Sequence, residues 1–139
     1  MSREILLKAK RKNWRELPKE EWWVEGNYVK TVFIHDEGYE HYIIEIKKGG
    51  GTFEIDPETI CQYTGLIDKN GKQIWENDIV DTYESDSGET LRNVVKFKQG
   101  CFKVFKNYYC PMYLDKYNTS ELEVHGNVFD NSELLGGAE

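Results

Sequence analysis

The sequence has few of the residues that form disulfide bonds in small secreted domains or that bind metal ions. It contains three cysteines, an odd number, and its three histidines stand far from one another and from the cysteines. No Cys-x-x-Cys pair occurs, and the first four residues lead into only three apolar ones, which is too few for a secretory leader. These absences predict a reducing, cytoplasmic setting with free thiols, and no structural zinc or other cofactor. Cys61 and Cys101 stand within apolar stretches, so we expect both to be core thiols.

Long apolar runs and phosphate-binding motifs are also missing. No stretch approaches the roughly 20 apolar residues of a membrane-spanning helix, so we expect no membrane insertion. Gly49-Gly50-Gly51 is followed by Thr52-Phe53, whereas a P-loop continues with Gly-Lys and then Ser or Thr. The glycine run therefore predicts a flexible tip and not a nucleotide site.

Catalytic arrangements are not recognisable either. The sequence contains no nucleophile elbow and no dinucleotide or kinase signature. Carboxylates stand close together at Asp56 with Glu58 and at Asp78 with Asp81, but two-carboxylate catalysis depends on a distance in space that sequence spacing does not fix. We interpret Asp56 as a cap before Pro57 and Asp78 as a residue that bonds turn amides. We predict that the chain is not an enzyme; an enzyme of unrecognised type is the alternative.

The charge is acidic overall but unevenly distributed. Eighteen basic and 25 acidic residues give a net charge of −7. The first 15 residues carry six basic side chains and one acid, for +5, which leaves −12 on the remaining 124. The six are Arg3, Lys8, Lys10, Arg11, Lys12 and Arg15. This stretch is interpreted either as a solvated strand end and turn, or as a small contact site for anions such as nucleic-acid phosphates.

Short apolar and aromatic runs separated by turn residues predict a mainly β fold. Aromatic residues make up 14% of the chain. The predicted strands are 5–10, 22–30, 39–47, 60–64, 66–67, 73–75, 91–98, 101–106 and 122–129, with a further strand that starts at 77–80. A single helical turn is expected after Asp56, and a short terminal helix is expected over 130–135.

Several turns are indicated by local sequence. Asn70-Gly71 lies between apolar segments, which is a strong hairpin signal, and Gln99-Gly100 joins two strands. Gly26-Asn27 is interpreted as a bulge or tight turn inside the second strand. Asp36-Glu37-Gly38 is expected to form a turn as well.

Three blocks of the sequence form one ordered pattern. The central block runs from Asp56-Pro57-Glu58-Thr59 through Asp68-Lys69-Asn70-Gly71-Lys72 to Asn77-Asp78-Ile79-Val80. An amino-terminal block consists of Lys8-Ala9-Lys10-Arg11 and Trp23–Val29, and a carboxy-terminal block is Glu123–Asn131. Together the three blocks resemble the YopX family of phage and prophage proteins, and the outer two resemble its terminal signatures. The blocks occur in the right order and cover most of the chain, apart from residues 36–51 and 107–120.

The resemblance implies a fold but no activity. It implies a β-rich α+β protein, mainly β, that forms a single domain over 1–139. We divide this domain into an amino-terminal β-rich sheet subdomain, 1–65, and a small SH3-like barrel, 66–135. The family usually has glycine where this chain has Asn77, so we expect Asn77 to adopt a positive φ, which asparagine tolerates better than other non-glycine residues.

Aromatic side chains are the best candidates for a binding surface. Tyrosine and tryptophan bring large contact area at low entropic cost, which favours interfaces. Trp23 and Trp75 lie within the family blocks and are expected in the core, whereas the segment from Tyr108 to Tyr113 lies outside them. That segment is interpreted as a self-association or partner surface, or else as a loop folded over the barrel end. The candidate binding residues are Lys10, Arg11, Trp14, Tyr108, Tyr109 and Tyr113.

Two functional interpretations follow. The first is a cytoplasmic interaction module of a bacterial host cell that binds a host or phage protein and self-associates. The second is a nucleic-acid accessory factor that uses the basic amino-terminal edge and Trp14. We favour the first.

Overall fold

The computed structural model describes residues 6–32, 39–45, 50–105 and 112–135. The predicted turn at residues 36–38, and the candidate residues Tyr108 and Tyr109, lie outside this part of the chain. The described chain falls into two compact units, residues 1–62 and 63–139. The first unit holds four strands and the start of a fifth from a six-stranded antiparallel sheet, and the second unit holds a five-stranded antiparallel sheet.

The first unit contains four complete strands and the start of a fifth. These are β1 Leu7–Lys10, β2 Trp23–Val32, β3 Tyr39–Glu45, β4 Thr52–Glu54 and β5 Cys61–Ile67, the last of which ends in the second unit. Their order across the sheet is β4-β3-β2-β1-β5. Single 3-10 turns occur at Trp14–Glu16, Lys19–Glu21 and Pro57–Thr59. The core of this unit is formed by Ala9, Val24, Ile43 and Ile55.

Gly26 lies in the interior of β2, and the predicted bulge or turn at Gly26-Asn27 is wrong. The strand pairs without interruption, with Leu7 on one side of Gly26 and Glu45 on the other. A Cβ atom at this position would collide with the backbone carbonyl of Ile44. Glycine is therefore required by the close approach of the neighbouring strand and not by a turn.

The second unit holds β6 Gln73–Trp75, β7 Asp78–Glu84, β8 Glu89–Lys98, β9 Cys101–Phe105, β10 Met112–Tyr113 and β11 Leu122–Asn127. The end of β5 pairs with β6, and a five-stranded sheet runs in the order β10-β9-β8-β7-β11. Further 3-10 turns lie at Leu114–Lys116, Thr119–Glu121 and Ser132–Leu135. The core consists of Ile74, Val80, Val95, Val104, Leu114, Tyr117 and Leu122.

The predicted β-rich class is confirmed. The chain is mostly β, with two antiparallel sheets, and no helix reaches seven residues within the described ranges. The SH3-like barrel stays a prediction. Nothing among the described helical turns is long and apolar enough to cross a membrane.

Local turn chemistry follows the sequence closely. The Asp56 side chain accepts from the Glu58 backbone N–H before the turn Pro57–Thr59, as predicted for a cap. The β5–β6 hairpin turns through Asn70-Gly71, where Gly71 has a φ of 80°. Asn77 has a φ of 73°, which confirms the expected positive angle. Asp78 accepts from the Trp75 backbone N–H at 2.8 Å, so it also bonds turn backbone as predicted.

Burial of the cysteines and tryptophans departs from the sequence prediction at two positions. Cys61 is buried as expected, whereas Cys101 is only partly buried. Trp75 is 4% exposed and belongs to the core, but Trp23 is only half-buried. The Trp23 ring lies 4.8 Å from the Lys8 ammonium.

Candidate interaction surfaces and the tryptophan cage

Lys10 is buried beneath tryptophan rings in the first unit. It is 1% exposed, although it ends the basic strand β1. Its Nζ lies 3.8 Å from the ring centre of Trp14, 4.4 Å from that of Trp22 and 5.7 Å from that of Trp23. We call these four residues the tryptophan cage. The aromatic faces carry negative charge density, so they stabilise an ammonium that has left water.

The cage is assembled by chain segments on both sides of a loop. Lys10 comes from β1 and Trp23 from β2, which pair directly, while Trp14 and Trp22 come from the turns between these strands. Trp14 and Trp22 meet edge to face with ring centres 4.9 Å apart. The Trp22 Nε1 donates to the Leu17 carbonyl at 3.0 Å, which fixes this ring in place.

Burial of Lys10 corrects both interpretations of the basic stretch at this residue. Its ammonium is neither solvated nor presented to an external anion. Trp14, predicted as a base-stacking residue, is half-buried, with Lys10 over its ring and the Arg15 guanidinium 4.3 Å from the ring centre. Its Nε1 is buried without a hydrogen-bond partner among the described residues. The structure thus uses Lys10 and Trp14 for cohesion of the first unit.

Arg11 lies beside the cage and lines a cavity of about 490 Å³. Its guanidinium stacks over the Phe53 ring at 4.7 Å and lies 3.7 Å from a Glu21 carboxylate oxygen. Lys12, also in the wall, forms an ion pair with Glu54 at 3.1 Å. The charged groups of this cavity therefore neutralise one another, so it has no excess of either charge for a ligand.

The second unit has a different basic cluster across β8, β9 and β10, in which Lys98 is exposed, Lys96 is half-buried and Lys103 is 8% exposed. The ladder places Lys96 opposite Lys103, and Lys103 opposite Tyr113. The Lys103 Nζ lies 5.4 Å from the centre of the Tyr113 ring. Lys98 follows on the same face of β8, because side chains two residues apart point the same way. We call Lys96, Lys98, Lys103 and Tyr113 the lysine–tyrosine surface.

Tyr113 of the lysine–tyrosine surface is 58% exposed. Phe97 and Met112 are 46% and 39% exposed, but they point to the opposite face of the sheet, because Phe97 alternates with Lys96 and Lys98, and Met112 with Tyr113. Phe97 packs edge to face with Phe102, with ring centres 5.0 Å apart. Strand β10 ends the sheet among the described residues. Of the predicted aromatic segment, Tyr113 is therefore placed at an accessible sheet edge.

The sequence prediction missed Lys96, Lys98 and Lys103, although the signal was present. Val95 and Phe97 alternate with Lys96 and Lys98, and the two-residue turn Gln99-Gly100 fixes the register of the returning strand. That register alone places Lys103 opposite Lys96.

Charged groups at the other end of the sheet are paired with one another. The Arg92 guanidinium donates to both Asp81 carboxylate oxygens, at 2.8 and 3.2 Å, and this contact raises the pKa of Arg92. The His125 Nε2 lies 3.1 Å from Asp81 and 3.5 Å from Glu123. Arg92 and His125 thus share Asp81, and this end of the sheet is an ion-pair network with no cationic excess like that of the lysine–tyrosine surface.

Asp68 is a buried carboxylate with a structural task. Its oxygens accept from the backbone N–H groups of Asn70, Lys72 and Val124 at 2.9 Å each, and thereby join the β5–β6 turn to β11. Burial alone raises the pKa of Asp68, but these three donors outweigh burial and hold the pKa below its ordinary 3.8. All its partners are backbone groups, so Asp68 is not a candidate acid or base.

Tyr117 is a second buried ionisable group of this unit. Its hydroxyl donates to Glu84 at 2.7 Å. Burial, followed by this hydrogen bond to a carboxylate, raises the pKa of Tyr117 from 10.0 to about 12. No group of three or more His, Cys, Asp or Glu side chains suited to a metal ion occurs within the described ranges.

Comparison with known proteins identifies relatives of the fold. The family model described as YopX protein matches residues 14–136. Protein EF1440 from Enterococcus faecalis is 22% identical with a TM-score of 0.52, and protein YopX from Bacillus subtilis is 15% identical with a TM-score of 0.56. Each of these two comparisons covers 96% of this chain and 99% of the other. At such identities the likeness shows the fold alone, and no curated protein matches the chain. Because the family model spans most of the sequence, the chain belongs to the YopX family.

Proposed function

We propose that this chain is a non-catalytic interaction module that binds an acidic segment of another protein through its lysine–tyrosine surface. The observation that carries the proposal is the position of Tyr113, which is 58% exposed at the edge of the sheet and directly adjacent to Lys103. Tyrosine is enriched among the residues that carry most of the binding energy of protein interfaces.

Charge complementarity indicates the partner. No ion pair involves Lys96, Lys98 or Lys103 among the described residues. Asp or Glu side chains of a partner would supply the missing charge, and the rest of this acidic chain would repel wrong dockings. We expect such a segment to lie along β10, with an apolar side chain against Tyr113.

The tryptophan cage favours a protein partner over a nucleic acid. The nucleic-acid interpretation relied on Lys10 and Trp14, and Lys10 is buried under three indole rings. Only Lys12 and Arg15 of that stretch's described basic residues are exposed. In this proposal the protein acts in the bacterial cytoplasm on behalf of a phage or prophage, as its resemblance implies. A second copy of this chain is a further partner to be tested.

Site-specific photocrosslinking tests the proposal directly. A benzophenone amino acid replaces Tyr113 in one variant and Tyr83 in a matched control, because Tyr83 is 45% exposed on β7. Both are produced in the native host and irradiated. We expect a protein adduct from position 113 alone, resistant to nuclease, whose crosslinked peptide is rich in Asp and Glu. Equal adducts from both positions, a nucleic-acid adduct, or adducts only with a second copy of this chain would refute it.

A further inference from the structure

Two lysines of like charge face each other inside the lysine–tyrosine surface. Lys96 of β8 and Lys103 of β9 are directly opposed in the ladder. Like charges in this arrangement repel each other. Lys103 is only 8% exposed and Lys96 is half-buried, so water screens the repulsion less than it would for fully exposed side chains.

Each ammonium is held by a neutral amide. The Lys96 Nζ donates to the Asn77 Oδ1 at 2.7 Å, and the Lys103 Nζ donates to the Gln99 Oε1 at 2.8 Å. An amide oxygen orients an ammonium but does not neutralise it. The pair therefore retains two positive charges in a fixed arrangement.

The two amide acceptors have an unusual backbone in common. Asn77 has a φ of 73° and Gln99 a φ of 53°, and they are the two non-glycine residues with positive φ in the described part of the chain. Left-handed backbone is unfavourable for glutamine in particular. At Gln99 the hairpin itself requires this angle, because both central residues of such a two-residue turn have positive φ and Gly100 has a φ of 83°. Each of the two residues with positive φ thus accepts from one lysine of the opposed pair.

We infer that Lys96 and Lys103 form a binding site for a compact oxyanion with two negative charges, of the phosphate monoester class. A dianion neutralises both ammoniums at once, whereas a single carboxylate leaves one charge over. Three phosphate oxygens also suffice to accept from both lysines and from the Tyr113 hydroxyl. The inference deepens the proposed function, on which its protein source rests: the partner's acidic segment carries a phosphorylated side chain.

Solution NMR of the full chain tests the site with inorganic phosphate as the first probe. We expect saturable shifts at the amides of Asn77, Lys96, Gln99 and Lys103, beyond those caused by chloride at equal ionic strength. Phosphate binding should strengthen from pH 5 to pH 7.5, since its second ionisation has a pKa near 6. Sulfate, which is a dianion throughout this range, should bind equally at both pH values. Shifts that do not saturate, or that follow ionic strength alone, would overturn the inference.

Variants distinguish phosphate binding at Lys96 and Lys103 from nonspecific attraction to basic side chains. Lys96→Gln and Lys103→Gln should each weaken phosphate binding roughly tenfold, as loss of one hydrogen bond between charged groups implies. Lys69→Gln is the matched control, because Lys69 is exposed and its ammonium is paired with Glu123, and it should leave binding unchanged. Lys96→Arg keeps the charge and should restore most of the affinity. An equal loss of phosphate affinity in Lys69→Gln would count against the site. If a Gln variant fails to fold, the phosphate titration of the wild type still decides whether the site exists.

Peptide probes identify the source of the oxyanion. A short acidic peptide with one phosphoserine is compared with the same peptide carrying Glu, and with a single-stranded oligonucleotide. Tighter binding of the phosphoserine peptide supports the inference. Binding of inorganic phosphate without the phosphopeptide supports the oxyanion site but removes its protein source. Tighter binding of the oligonucleotide overturns that source in favour of nucleic acid. Failure of all phosphate probes refutes the site, while the crosslinking at position 113 judges the proposed function separately.

Discussion

The Nζ of Lys10 lies 3.8 Å from the centre of the Trp14 ring, in a pocket where Lys10 is 1% exposed. This contact changes the role of the basic amino-terminal stretch. An ammonium stabilised by indole faces belongs to the cohesion of the first unit. It also explains part of the tryptophan excess, since Trp14, Trp22 and Trp23 all contact it.

Replacing Lys10 by methionine tests the cage. Lys10→Met keeps the length and packing of the side chain but removes the charge, so the free energy of unfolding should fall by about 2 kcal/mol, the value of a desolvated cation–π contact. Urea unfolding followed by tryptophan fluorescence measures the loss. Lys12→Met is the control, because Lys12 is exposed and its ion pair with Glu54 is exposed as well. It should change stability by less than about 1 kcal/mol. Equal effects of the two substitutions would argue against the cage.

Asp68 should make stability depend on pH in acid. Its pKa is lower in the folded chain than the ordinary 3.8, so its ionised form stabilises the fold above that value, and the contribution is lost as the pH falls through the folded pKa. Asp68→Asn should therefore lower the free energy of unfolding by about 2 to 3 kcal/mol at neutral pH. The difference from wild type should shrink below about pH 3.8. Asp86→Asn, at an exposed turn, is the control. A difference independent of pH would contradict the assigned role.

Tyr117 should ionise only at high pH, and its ionisation should lower the free energy of unfolding. Its pKa is raised from 10.0 to about 12 in the folded chain, so folding favours the protonated phenol. The corresponding stability is complete below pH 10 and is lost as the pH rises through about 12. Tyr117→Phe should remove one late step from the ultraviolet tyrosine titration and flatten the alkaline fall in stability. Tyr83→Phe, at an exposed site, is the control and should leave the Tyr117 step in place. An unchanged late phase in Tyr117→Phe would refute this assignment.

Asn77 should tolerate glycine better than alanine. Alanine at a φ of 73° is strained and cannot accept from Lys96, so Asn77→Ala should cost about 1 to 2 kcal/mol of unfolding free energy. Asn77→Gly loses the hydrogen bond but relieves the backbone, and its cost should be smaller. Asn70→Ala, at an exposed turn position without positive φ, serves as the control. Thermal unfolding ranks the three variants, and an equal cost for Ala and Gly at position 77 would contradict the backbone argument.

Features that depend on residues close in sequence were predictable. The Asp56 cap, the Asn70-Gly71 hairpin and the positive φ of Asn77 all follow from local backbone chemistry, and all are confirmed. The mainly β class followed from the density of short apolar runs.

Features that depend on residues distant in sequence were not predictable. The sequence at Gly26-Asn27 indicates a bulge or tight turn, because the contact that requires glycine comes from Ile44 on another strand. Lys10 was interpreted as accessible because its burial requires Trp14 and Trp22, which loop turns bring over it. The hairpin register predicts that Lys96 and Lys103 are opposed. It does not predict the amide acceptors of these lysines, above all Asn77, which only the folded structure brings close.

The most direct test of the interaction module is quantitative affinity capture from native host lysate with three forms of the tagged chain. These are the wild type, Tyr113→Ala combined with Lys98→Glu, and Tyr83→Ala as the control. We predict that one protein partner is captured in stoichiometric amount by the wild type and the control, survives nuclease, and is lost from the double variant. An acidic peptide from the partner's own sequence should compete with the partner for binding. Capture that survives the double variant unchanged, or that collapses with nuclease, would contradict the proposed role of the lysine–tyrosine surface.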